Sequence, residues 1–286
     1  MSFQYACADF AFPLLRHADA LKLIAMMGFD GADIGLFQDR SHLQPVSEFE
    51  NLAENARRLR GSMAENGLRL CDVFLQMGND FAAVAINHPE AGVRARAREY
   101  FLKTIEYARE AGGTHVTLLP GVHFAQETRR DSLQRACEEL SWRLDRAGEH
   151  GIILAVEPHI GSLGGTPGDA VELAEGCPGI TFAVDYTHFA RQGIPDAEVE
   201  PLLRYASHFH ARGARPGVLQ TVVRENAIDY PAILRKLDTL GYGGCIGVEY
   251  TWNEWENCDR TDNVSETILL KRLLQTAEAD MRREGS

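Results

Sequence analysis

Four short stretches of this chain close an apolar run with a residue that can ligate a metal: Ile-Leu-Ala-Val-Glu157, Phe-Ala-Val-Asp185, His-Phe-His210 and Gly-Val-Glu249. Three carboxylates and one imidazole gathered at one point make a hard-to-borderline site for one divalent ion. Mn2+ is the first choice and Mg2+, Co2+ or Zn2+ are alternatives, with positions left open for substrate oxygens. A single carboxylate at a strand end is often a helix cap or half of an ion pair. Four at successive strand ends would bury unpaired charge four times over, which is costly unless a cation shares it. The chemistry of such a centre is proton transfer. An ion that chelates a carbonyl and the neighbouring hydroxyl acidifies the carbon between them, and carboxylates on its two faces can remove and return the proton through an enediolate.

Other polar residues cluster near these four. His159 stands two residues past Glu157, in Val-Glu157-Pro-His, where it faces either the substrate as an extra acid or base or the solvent. His188, three residues after Asp185, is placed to hydrogen-bond a substrate hydroxyl or is a surface loop histidine. On a strand His208 shares a face with His210 but lies one layer deeper, as a hydrogen-bonded core histidine. Arg212 and Arg215 follow, able to hold a hydroxyl, carboxylate or phosphate or to stay solvated. Trp252, in Glu249-Tyr-Thr-Trp252-Asn-Glu254-Trp255, offers an aromatic face to a sugar or its aglycone, or belongs to a packed lid. His123, in Leu-Pro-Gly-Val-His, is a further candidate for substrate binding.

These residues can meet only if the strands carrying them are neighbours. Short apolar runs alternate with longer amphipathic segments, the rhythm of repeated βα units around a parallel sheet. The strands are expected at Phe3 to Cys7, Gly31 to Gly35, Leu68 to Leu75, Thr114 to Leu119, Ile152 to Glu157, Ile180 to Asp185, Ser207 to His210 and Cys245 to Glu249. Helices are expected at Pro13 to Met27, Ser47 to Asn66, Pro89 to Ala111, Glu127 to His150, Thr166 to Gly176, Asp196 to Tyr205, Tyr230 to Leu240 and Ser265 to Glu284. Gly28, Gly67, Gly112, Gly151 and Gly241 stand where a left-handed helix cap is needed before the next strand. Eight units in 286 residues predict an α/β fold, a single (β/α)8 TIM barrel over 1–286 whose C-terminal helix, about 265–284, closes the barrel. A doubly wound sheet gives no reason for eight evenly spaced strands.

Val-Glu157-Pro-His, Val-Asp185-Tyr-Thr-His188, His208-Phe-His210 and Gly-Tyr-Gly-Gly-Cys-Ile-Gly-Val-Glu249 together resemble the xylose-isomerase-like sugar isomerase and epimerase superfamily, most closely from Gly151 to Glu249. The resemblance to ketose 3-epimerases implies that Glu157, Asp185, His210 and Glu249 hold the metal, with Glu157 and Glu249 doubling as the proton-transfer pair. Two departures concern the substrate. Leu163 stands where those enzymes carry a second glutamate, and the arginine normally six residues past the histidine ligand has its nearest match in Arg215, at five. His159 and the aromatic loop resemble instead the branch that acts on oxidised glycosides. It implies a 3-keto-glycoside lyase or a C-glycoside deglycosidase catalytic subunit, in which proton abstraction is followed by loss of a leaving group.

The formal charge of −12 opposes binding of a polyanion such as nucleic acid, which also counts against the apurinic endonucleases of the superfamily. No apolar run is long enough to cross a membrane, and the first residues do not read as a signal peptide, so a cytoplasmic protein is expected. Six scattered cysteines read as reduced core residues. The expectation is a metal-dependent sugar isomerase or epimerase acting on a small sugar or oxidised glycoside, alone, as a homo-oligomer or beside an accessory subunit. A lyase is second and a non-catalytic sugar-binding barrel third.

Overall fold

Eight parallel strands close on themselves in chain order, so each strand has its sequence neighbours on either side. They are β1 (Gln4–Ala8), β2 (Gly31–Phe37), β3 (Arg69–Gln76), β4 (His115–Leu118), β5 (Ile153–Val156), β6 (Thr181–Asp185), β7 (Ala206–Ala211) and β8 (Cys245–Val248). Pairing of β8 with β1, Tyr5 opposite Ile246, completes the ring. The structure is a computed structural model that describes residues 2–284; Met1 and residues 285–286 lie outside the described residues. Helices run between the strands as expected, with shifted ends. The first begins only at His17, and the segment expected as one helix from Asp196 divides into Asp196–Val199 and a 3-10 stretch Glu200–Tyr205.

Period-two alternation explains the layers. Ile34 and Leu36 on β2, Val116 and Leu118 on β4, Val184 on β6, Phe209 on β7 and Ile246 on β8 point outward, into one core shared with Leu21, Leu59, Ile105, Leu140, Leu173 and Leu234 of the helices. Each such side chain contributes about 1.5–3 kcal/mol by leaving water. The five glycines expected as helix caps all have positive φ, from 66° at Gly67 to 89° at Gly112, a region other residues enter only with strain. The last helix, Asn263–Glu284, is tied to the start of the chain. Phe3 N (3.0 Å) and the Tyr5 hydroxyl (2.8 Å) donate to Glu278, and Lys271 Nζ donates to Met27 O at 2.9 Å.

The inward residues depart from the branched aliphatic layers usual in such barrels. His208 pairs with Asp33 at 3.1 Å and His115 with Asp72 at 2.7 Å; His115 also reaches Ser207 at 2.8 Å, which meets Thr181 at 2.6 Å. All four paired residues are buried, and the neighbouring Asp33 and Asp72 carboxylates hold the His208 imidazole above its ordinary pKa although burial acts the other way. Gly247 makes room for the first pair, because a Cβ there would collide with Asp33 Oδ2 and stand 3.1 Å from His208 Nε2. Gly247→Ala is therefore expected to cost about 1–3 kcal/mol by overpacking. A melting curve should move down by several degrees; an unchanged Tm would mean that the pair can step aside.

Candidate metal centre and substrate pocket

Glu157 and Glu249 are the first residues after β5 and β8, Asp185 is the last of β6, and His210 lies in β7 directly opposite Asp185 in the strand register. All four are buried at the C-terminal mouth, the most exposed being Glu249 at 6%. Glu157, His210 and Glu249 present ligand atoms within 4.8 Å of one another, and so do Glu157, Asp185 and His188. Glu157 belongs to both groups, so the four expected ligands gather around it, with His188 beside them.

The residues fit a divalent cation. His210 Nδ1 lies 2.8 Å from Glu157 Oε1 and 3.1 Å from Glu249 Oε2. One ring N–H serves one acceptor; it goes to Glu157, and Glu249 Oε2 is left buried with no hydrogen-bond donor among the described residues. Its one ion-pair partner among the described residues is the His210 ring that Glu157 also claims, and a buried carboxylate so shared leaves room for a further cation. Burial pushes the Glu249 carboxyl up to about 7, with Glu157 and Asp185 adding to the rise against the charges of His210 and Arg212. Burial acts on Glu157 and Asp185 too. There the hydrogen bond and charge of His210 on Glu157, and the charge of Arg212 on Asp185, prevail and hold both below the usual carboxylate range. The His210 cation, disfavoured by burial, is held well above its ordinary pKa by Glu249 and Glu157.

Asp185 is fixed on both oxygens. Thr187 donates to Oδ1 from its backbone N (2.8 Å) and its hydroxyl (2.6 Å), and Arg212 Nη2 donates to Oδ2 at 3.0 Å. Arg212 is itself buried, with Nε on the Thr187 hydroxyl at 3.1 Å. His188 sits in a short helix, Thr187–Arg191, that periodicity did not reveal; its Nε2 is 3.6 Å from Asp185 Oδ2, and burial lowers its pKa to about 4 despite both nearby carboxylates. His159 is buried as well. Its Nδ1 bonds Ile160 O at 2.7 Å, its Nε2 has no partner among the described residues, and burial lowers its pKa. With Nδ1–H on a carbonyl and burial favouring the neutral ring, Nε2 is placed to accept a proton.

A cleft above these groups, with a cavity volume of about 130 Å³, is lined by Glu157, His159, His188, Arg212, Glu249 and Trp252, and on its other side by Phe10, Phe37, Arg40, Gln76 and Phe81. Trp255 joins Trp252 in the rim. The loop carrying both is anchored twice. Arg191 grips Glu256 with two bonds of 2.7 and 2.8 Å, and the Gln220 amide reaches Thr251 O (2.8 Å), Cys258 O (2.7 Å) and the Thr261 hydroxyl (2.7 Å) while its Oε1 accepts from Thr251 N.

Two expected substrate residues stand apart. Arg215 does not line the cleft; its side chain is 46% exposed and faces Glu225 at 3.5 Å, because the chain turns outward after Gly213 and leaves Arg212, not Arg215, facing the mouth. His123 is exposed on the outer rim and lines no part of the cleft. Leu163, in the place of the family's second glutamate, is buried. The residue that sequence reading missed is Arg40. It follows β2 in Leu-Phe-Gln-Asp-Arg, so the strand-end rule would have found it had that end been searched for cations as well as for metal ligands.

The model of the xylose isomerase-like TIM barrel matches residues 21–273. The chain belongs to that family. Among members of the family, SgbU of Escherichia coli K12, provisionally assigned as an L-ribulose-5-phosphate 3-epimerase, is 25% identical over 284 residues, 95% of this chain and 93% of its own length. The L-ribulose-5-phosphate 3-epimerase UlaE of E. coli O157:H7 is 23% identical over 242 residues, 82% of each chain. A solved L-ribulose 3-epimerase superposes with a TM-score of 0.77 at 18% identity, over 99% of this chain and 97% of that one, a likeness of fold. The homologues are thus named as sugar epimerases. No helix among the described residues is long and apolar enough to cross a membrane.

Proposed function

We propose that this chain is a divalent-metal-dependent epimerase or isomerase of a sugar or sugar derivative. The observation that carries the reading is the buried triangle of Glu157, His210 and Glu249, joined by Asp185 at the barrel mouth. Glu157, Asp185, His210 and Glu249 would hold the ion, Mn2+ first. When bound, it supplies Lewis acidity to a carbonyl and its neighbouring hydroxyl. Glu157 and Glu249 come from strands on either side of His210, and each has two oxygens, so one can ligate while the other takes or returns a proton at the substrate carbon. His188 and Arg212 face the cleft as donors to substrate oxygens, Trp252 as an apolar wall. The epimerase names of the two curated relatives agree with this chemistry.

His159 separates this reading from the lyase. A leaving group must receive a proton, and with Nδ1–H held by Ile160 O and burial disfavouring the charged ring, His159 can give one only after it has taken one on Nε2. As an acceptor it suits removal of a proton from a substrate hydroxyl. The test is to incubate Mn2+-loaded protein in D2O with ketopentoses, ketohexoses, their phosphates and 3-keto-glucosides, following deuterium at carbon and release of aglycone by NMR. Exchange without release is expected; aglycone release would favour the lyase, and neither event with any substrate would overturn both.

A further inference from the structure

Arg40 stands at the opposite wall of the cleft from the four expected ligands' strands, on the loop that follows β2. That loop is rigid. Asp39 takes a left-handed conformation at φ 64°, and the buried Ser41 hydroxyl accepts from Phe37 N at 2.9 Å and reaches Gly35 O at 2.6 Å and Leu43 O at 2.9 Å. The guanidinium lies 5.2 Å from the centre of the Phe37 ring and 5.7 Å from that of Phe81, so two aromatic faces hold its plane. Nε and Nη2 are buried, and no atom of the described residues accepts from either.

Fork donors held without an acceptor inside a substrate cleft are costly unless a ligand completes them. The charges of the cleft point the same way. Arg212 answers Asp185 at 3.0 Å, and a divalent ion would answer Glu157 and Glu249. Arg40 remains, a positive charge with no carboxylate bonded to its free donors. Resting on the epimerase reading above, we infer that Arg40 is the specificity-determining residue that binds an anionic oxyacid group, phosphate or carboxylate, of the sugar held in the cleft. A planar guanidinium with two adjacent free donors matches two oxygens of such a group. The substrate class is accordingly a ketose phosphate or a keto sugar acid, with the uncharged ketose a poor substitute.

Two measurements test this. Inorganic phosphate, and separately glycolate, is titrated calorimetrically into wild-type, Arg40→Gln and Arg40→Lys protein, each metal-free and Mg2+-loaded. The wild type is expected to bind one of the two anions at least ten-fold more tightly than Arg40→Gln, with Arg40→Lys between because it keeps charge but loses the fork. Then kcat/KM is compared for a ketopentose 5-phosphate, a hexulosonate and the parent ketoses. The wild-type preference for one anionic substrate should collapse at least ten-fold in Arg40→Gln, carried mainly by KM, and that substrate identifies the group. Equal anion affinity in wild type and Arg40→Gln, or no binding of either anion to the wild type, would overturn the inference. So would an unchanged preference ratio. If no substrate exchanges at all, the epimerase reading fails, and the calorimetry alone decides the role of Arg40. Arg40 makes no ion pair among the described residues and gives up only its two ring contacts, so Arg40→Gln should keep the wild-type circular dichroism and melt within a few degrees of wild type.

Discussion

Replacing Glu249 by Gln should reduce carbon-bound proton exchange about 10²–10⁴-fold, the usual contribution of a positioned acid or base, while the metal-free protein becomes more stable at alkaline pH. The second half follows from linkage. The folded Glu249 pKa of about 7 lies above its ordinary value of 4.5, so its contribution to stability is present below pH 4.5 and lost as pH rises through 7. At pH 8 the native protein without metal carries an ionised, buried Glu249 whose Oε2 has no hydrogen-bond donor among the described residues and only the His210 ring shared with Glu157 beside it. Glu249→Gln removes that charge. The metal-free variant should exceed metal-free wild type at pH 8 by on the order of 1–3 kcal/mol, since each tenfold change in proton affinity between the folded and unfolded chain is worth about 1.4 kcal/mol. The gap should shrink toward pH 5. Denaturant melts at the two pH values, with and without Mn2+, check this. The wild type should gain more from Mn2+ at pH 8 than at pH 5, and the variant little at either. Unchanged exchange would take Glu249 out of the proton-transfer pair, and equal metal-free stabilities at pH 8 would show that its charge is answered elsewhere.

Loss of Arg212 should be the most damaging single change at the mouth. Arg212→Met keeps the length of the side chain but strips Asp185 of its Oδ2 partner in a wholly buried setting. Breaking such a pair from one side costs about 3–5 kcal/mol, because the other charge stays buried. A fall in Tm on the order of 10 °C is expected for a chain of this size. Two comparisons show whether the charge is responsible. The double variant Arg212→Met with Asp185→Asn should recover much of the loss, and excess Mn2+ should recover part of it in the single variant by giving Asp185 another cation. If single and double variants melt together and metal does nothing, Arg212 acts by packing alone.

Much of the mouth could be read in the sequence because a parallel barrel converts strand ends into neighbours. Glu157, Asp185, His210 and Glu249 are far apart in the chain, yet the eightfold rhythm places them on four consecutive strands, and the structure brings them together. Loop geometry is harder to read. Arg212 and Arg215 are alike in type and three residues apart, and only the turn after Gly213 sends one inward and the other to Glu225. The polar floor of the barrel was hidden for a different reason. Asp33 and His208 pair across 175 residues, and a carboxylate inside a strand carries no mark of which distant imidazole will answer it. His188 was noticed, but its helix of five residues is too short to show a period.

Gln220 joins the segment after β7 to the loop after β8 through main-chain atoms of Thr251 and Cys258, and Arg191 fastens that same loop from the far side. This half of the rim is therefore one hydrogen-bonded unit, and loss of Gln220 or Arg191 would loosen the loop that carries Trp252 and Trp255. The other half, formed by 38–44 and the stretch around Phe81, stands clear of those ties. Adaptation to a new sugar, by selection or by design, can therefore change one half of the rim without passing through the ties of the other.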